Sequence, residues 1–74
     1  MSDQANKLLD EINAEYKSRL ANGEPKEKAN VFANQLFTQK YHYDINTLDN
    51  LLNELYNYGY IEKWIISAFV LKVD

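Results

Sequence analysis

Nucleophilic catalysis needs an activated serine, threonine, cysteine or lysine with a base held beside it. The chain offers three serines, two threonines, no cysteine and a single histidine, His42, set between Tyr41 and Tyr43. Acid–base chemistry by paired carboxylates needs Asp or Glu converging in a cleft. Here the carboxylates are spread along helical surfaces in a chain of 74 residues. Gly23 and Gly59 are the only glycines, which excludes a glycine-rich phosphate loop. One histidine without cysteine makes neither a histidine-rich nor a thiolate metal site. These residues predict a protein that is not an enzyme, that carries no cofactor or metal, and that works by binding.

The residue types best suited to binding lie in the C-terminal half. Asn46, Asn50, Asn53 and Asn57 recur at intervals of four, three and four, which aligns four amides along one side of a helix. Asparagine is a poor helix former, so the row has no evident structural return. It reads either as a merely solvated face or, more sharply, as a contact surface that donates and accepts hydrogen bonds without charge. Tyr41, Tyr43, Tyr56, Tyr58, Tyr60 and Trp64 place six of the ten aromatic residues within 24 positions. Tyrosine and tryptophan are enriched at binding hot spots. Tyr56 falls with the leucine face and is expected in the core. The others, with Ile65 and Phe69, complete the expected partner-binding set.

The elements that must position these groups follow from periodicity. Ala5, Leu8, Leu9, Ile12, Tyr16 and Leu20 form one stripe of a first helix over 3–22, with Ser2 or Asp3 as its cap. Asn22-Gly23 supplies a left-handed stop, and Pro25 opens a second helix. Ala29, Phe32, Ala33, Leu36 and Phe37 form the next stripe, which fades near Lys40; Val31 lies off it and is expected to be exposed. The short Gly-Glu-Pro link makes the two helices antiparallel neighbours, with Leu9, Ile12 and Tyr16 facing Phe32, Leu36 and Phe37.

Tyr41, Tyr43 and Ile45 alternate, so a short extended piece fits there. Asp44 or Asn46 caps a third helix carrying Leu48, Leu51, Leu52 and Leu55 inward, and Gly59 ends it. From Tyr60 onward the reading divides. Trp64 to Val73 is apolar on all sides, which favours a buried fourth helix. Ile61, Ile65, Ile66, Val70 and Val73 are β-branched, which favours a strand. Such a strand would need the Tyr41–Ile45 stretch or a second subunit as its partner.

Asn46-Thr47-Leu48, Leu51-Leu52, Leu55 and Tyr58-Gly59-Tyr60-Ile61, followed by a β-prone stretch, resemble the passage from recognition helix to wing in winged helix-turn-helix proteins. The resemblance covers about 25 residues. It implies DNA binding, with Lys7, Lys17, Arg19, Lys26, Lys28 and Lys40 left to supply phosphate contacts. The charge departs from that pattern. From Tyr41 to Glu62 there is no Lys or Arg, while Asp44, Asp49, Glu54 and Glu62 are acidic. DNA affinity rests largely on cations near phosphates, so nucleic acid is disfavoured as the partner.

A chain this short buries only about 60% of its unfolded surface and needs a well-packed core or a partner chain. The polar, acidic Met1-Ser2-Asp3-Gln4 start predicts no secretion leader. The Trp64–Val73 stretch is about half the length of a membrane span, and Ser67 and Lys72 interrupt it. A cytoplasmic protein with no membrane association is expected.

Together these readings predict one all-α domain over 1–74. It is a bundle of four short helices whose first two form an antiparallel hairpin, with a C-terminal strand as the alternative. The expected function is that of a small protein-binding regulator or inhibitor, of the antitoxin, immunity or phage-accessory kind. The alternatives are a winged-helix DNA-binding protein and a structural subunit of a larger assembly. Contact is expected through the C-terminal third, to a protein partner or a second copy. Tyr58, Tyr60 and Trp64 would be its anchors, with Ile65 and Phe69 at its dry centre.

Overall fold

The structure, a computed structural model, describes residues 1–65 and 67–73. It corrects the expected helical bundle to an α+β domain, in the order α1 (Asp3–Ala21), α2 (Lys26–Ala29), β1 (Val31–Ala33), α3 (Asn34–Lys40), α4 (Ile45–Asn57), β2 (Ile61–Trp64) and β3 (Ala68–Leu71).

The first helix forms as its stripe requires. The Ser2 hydroxyl accepts a hydrogen bond from the Ala5 N–H at 3.1 Å, which satisfies one of the orphan donors of the first turn. Ala5, Leu8 and Ile12 are fully buried. At the other end Gly23 adopts φ +91°. Its N–H donates to Leu20 O, and the Glu24 N–H donates to Arg19 O. That pair of bonds is a Schellman stop, and it needs a residue at ease in the left-handed region.

The expected second helix does not exist as one element, so there is no helical hairpin. Pro25 is the N-cap of a single turn, α2, after which the chain extends through β1 before winding again as α3. The cause is tertiary. Val31, Phe32 and Ala33 pair antiparallel with Val70, Phe69 and Ala68. Buried Asn30 reinforces the junction: its carbonyl accepts from Leu71 N–H at 2.8 Å, and its Nδ2 donates to Leu71 O at 3.0 Å. Arg19, in the last turn of α1, closes the free edge. Its guanidinium donates to Val31 O at 2.6 Å and lies 4.3 Å from the centre of the Phe32 ring.

The C-terminal segment is a hairpin, not a fourth helix. β3 is the central strand of a three-stranded sheet ordered β1-β3-β2. Its strand partners are therefore β1 and β2, neither the Tyr41–Ile45 stretch nor another subunit. Side chains alternate across it, with Phe69 and Leu71 buried and Ala68 and Val70 half-buried on the outer face. This alternation explains why a segment apolar on every side folds as a strand: a sheet has two faces, and only one of them meets the core. The expectation for Ile66 lies outside the described residues. Both edges are poor templates for further pairing. β1 is three residues long and clasped by Arg19, and β2 carries Glu62, Lys63 and a register irregularity between Ile61 and Lys63.

One core joins the layers. Leu48, Leu51, Leu52 and Leu55 of α4 meet Ala5, Leu8 and Ile12 of α1, beside a cluster of Phe32, Phe37 and Phe69. Phe32 and Phe69 are stacked with centroids 5.5 Å apart, and Phe37 meets Phe32 edge-on at 6.0 Å. Ile12, Phe32 and Phe37 thus share a core as expected, but α1 lies mainly along α4.

Between α3 and α4 runs a turn, Tyr41–Asp44, in which His42 takes φ +61°. Asp44 then caps α4, accepting from the Asn46 and Thr47 N–H groups. A left-handed residue other than glycine costs roughly 1–2 kcal/mol. His42→Gly should therefore be tolerated, whereas His42→Val should destabilise by about 1–2 kcal/mol because β-branching adds to the clash. Urea denaturation of the two variants checks this, and equal midpoints would show that the turn relaxes freely.

Candidate binding surface

The residues expected to meet a partner fall into two groups, with Ile65 exposed on the hairpin apart from both, and a third group was not expected. Tyr41 and Tyr43 are turned onto α1. The Tyr41 hydroxyl donates to Glu15 Oε2 at 2.7 Å, and the Tyr43 hydroxyl donates to Glu11. Lys40 adds an ion pair to the same Glu15 oxygen. These contacts pin the α3–α4 turn to α1, and both rings are half-buried. Phe69 is 1% exposed and belongs to the chain's own core, so it is not the dry centre of an external contact. Trp64 is half-buried against the same core.

The second group is exposed, with the Tyr58 hydroxyl accepting a hydrogen bond from the Met1 ammonium at 3.3 Å. Asn46, Asn50, Asn53 and Asn57 are all exposed, on the side of α4 opposite Leu48, Leu51, Leu52 and Leu55. Tyr58 is 60% exposed and Tyr60 43%. The third group consists of residues whose surface role the periodicity missed. Tyr56 is exposed rather than core, because it lies about 100° round the helix from Leu55, past the edge of the leucine face. Ile45, at the start of α4, is exposed as well. Its signal was masked by the apparent alternation with Tyr41 and Tyr43.

The surface of α4 therefore presents amides along its length, with Ile45 near one end and Tyr56 and Tyr58 at the other. Two of the carboxylates on or beside it are engaged locally. Asp44 caps the helix, and Glu54 accepts from both the backbone N–H and the hydroxyl of Ser2. Such a face can exchange hydrogen bonds and apolar contact; it holds no nucleophile–base pair. Among the described residues no group of three or more His, Cys, Asp or Glu could hold a metal ion. No helix among them is long and apolar enough to cross a membrane. Comparison with protein-family models, curated proteins and solved structures returns no match to this chain.

The tyrosine clasp has a titration signature. Donation to Glu15, followed by burial and the carboxylate charges, pushes the Tyr41 hydroxyl up to about 12. Tyr43 is raised further, chiefly by burial and then by its bond to Glu11. The folded state thus prefers the neutral phenols, whereas an unfolded tyrosine ionises near pH 10. Their contribution is complete below pH 10 and is lost as pH rises through the folded values. Glu15 behaves oppositely. Its bonds to Lys40 and then Tyr41 hold it below the ordinary 4.5, so its contribution is present above that value and lost on acidification. Denaturation midpoints should therefore fall between pH 10 and 12, and less steeply in Tyr41→Phe and Tyr43→Phe. An unchanged alkaline slope in both variants would show that the clasp does not stabilise the fold.

Proposed function

We propose that this chain is a non-catalytic binding module that docks on a protein partner through the outer face of α4, regulating that partner by occupying its surface. The observation that carries the reading is the exposed row Asn46, Asn50, Asn53 and Asn57, flanked by Ile45, Tyr56 and Tyr58, on a segment without a single cation from Tyr41 to Glu62. Neutral amides with aromatic edges suit a protein surface. A regulator or inhibitor of the antitoxin, immunity or phage-accessory kind needs nothing more than such a face.

A second reading, DNA binding, is favoured by one observation. Two helices joined by the four-residue turn Tyr41–Asp44 and followed by a hairpin reproduce the helix-turn-helix and wing order. In that layout the second helix enters the major groove, and here it would bring no cation to the phosphates. Fluorescence anisotropy with mixed-sequence duplex DNA at low salt separates the readings. No binding is expected, and affinity that falls steeply with added salt would favour DNA.

The protein reading has its own test. A photo-crosslinking residue at position 53 should yield a discrete protein adduct in the native host, and one at exposed position 17 on α1 should not. Asn50→Arg should weaken that contact at least tenfold, about 1.4 kcal/mol. Equal adducts from both positions would reject α4 as the docking face.

A further inference from the structure

We propose that two clefts meeting at Ala68 form one groove, which shares only Ile45 with the α4 face, for an extended apolar segment of a partner protein bearing a carboxylate near Lys63. The larger cleft, about 550 Å³, lies between the start of α3, Ile45 and the Ser67–Ala68 end of the hairpin. That volume is within the range of sites that hold small ligands, about 300–1,000 Å³. The smaller, about 150 Å³, lies on the outer face of the sheet among Val31, Lys63, Ile65 and Val70. Ala68 lines both.

Strand register explains the apolar floor. Val31, Val70 and Lys63 are cross-strand neighbours in one row, and Ala33 pairs with Ala68 in the next. The Ile65 N–H donates to Ala68 O at 2.9 Å, which brings Ile65 alongside that second row. Ile65 is 62% exposed and Val31 46%. An extended segment suits this layout, because its side chains two apart share a face and can enter the two clefts in succession.

Charge selects the occupant. Among the described residues Lys63 is the only charged one lining either cleft, and it has no ion pair with the others. The other polar side chains, Asn34, Gln35, Thr38 and Ser67, are neutral and lie at the far end. Asp44 precedes Ile45, but its carboxylate accepts from two α4 amides and does not line the cleft. A carboxylate beside Lys63, with apolar side chains leading away from it, is the complementary arrangement.

The test is an NMR titration of the isotope-labelled whole chain with two blocked peptides of alternating valine and alanine. One ends in aspartate and the other in lysine. The aspartate peptide should shift the amides of Ala33, Ile65, Ala68 and Val70 with a Kd below about 1 mM, and the lysine peptide should bind at least tenfold more weakly. Lys63→Glu should reverse that order, and Ile65→Asp should abolish both while the rest of the spectrum stays native. Asn50→Arg on α4 should leave the titration unchanged, so the groove and the α4 face stand or fall separately. Equal binding of the two peptides, or no shift up to several millimolar, would overturn the proposal. Concentration-dependent dimerisation of the free chain, abolished by Ile65→Asp, would also overturn it by assigning the groove to a second copy.

Discussion

Phe69→Asp is expected to abolish folding rather than to dissociate an assembly. Phe69 is 1% exposed, stacks on Phe32 and packs against Phe37 at 5.7 Å. Removing such a ring typically costs 3–5 kcal/mol. A carboxylate in its place adds several more, because it would be desolvated among apolar rings, with the Arg19 guanidinium already bonded to Val31 O and seated on Phe32. A domain of this length has a total stability of about 4–11 kcal/mol, so the sum is of the same size as the whole. Circular dichroism and the amide spectrum should show an unfolded chain. Val70→Asp provides the contrast: it lies one position along the same strand on the outer face, and the variant should remain folded. A Phe69→Asp protein with native chemical-shift dispersion would mean that this core can open around a charge.

The next largest effect is expected at Arg19. Its guanidinium bonds Val31 O and covers the Phe32 ring, so Arg19→Ala removes a charge-assisted hydrogen bond and a cation–π contact together. The two contribute about 1.5–3 and 0.5–1 kcal/mol respectively, and a loss of about 2–3 kcal/mol is expected because they share one side chain. Arg19→Lys should recover part of it. Hydrogen exchange at Phe32 and Asn34, whose N–H groups face β3, should accelerate more than at Leu52. A change under about 0.5 kcal/mol, the range of ordinary surface substitutions, would show that β1 is held by its pairing with β3 alone.

α1 and α4 were legible in the sequence because each is long, has an apolar stripe, and is bounded by local chemistry: Ser2 and Gly23 for one, Asp44 and Gly59 for the other. The Asn row followed from the leucine face, since fixing one side of a helix fixes the opposite side. β1 was not legible. Ala29, Phe32, Ala33, Leu36 and Phe37 satisfy a helical period, and three residues of strand are too few to contradict it. The contrary signal was Val31, off the stripe and β-branched, which faces out from the sheet. Pairing with residues 68–70 outweighed local preference, and no window around residue 31 contains those partners. Among the binding residues, Tyr41 and Tyr43 were misplaced for the same reason: Glu11 and Glu15 lie more than twenty positions away.

The strand that both others depend on comes last in chain order. While a ribosome is still adding residues before Ala68, Val31–Ala33 and Ile61–Trp64 have been made but have nothing between them to pair with. The stripe through Phe32 leaves that early stretch free to wind as a transient helix in the growing chain. Folding is therefore expected to finish with a conversion: the arrival of Ala68–Leu71 draws residues 31–33 out of helix and into the sheet. Stalled chains ending before residue 68 should be more helical per residue than the finished protein.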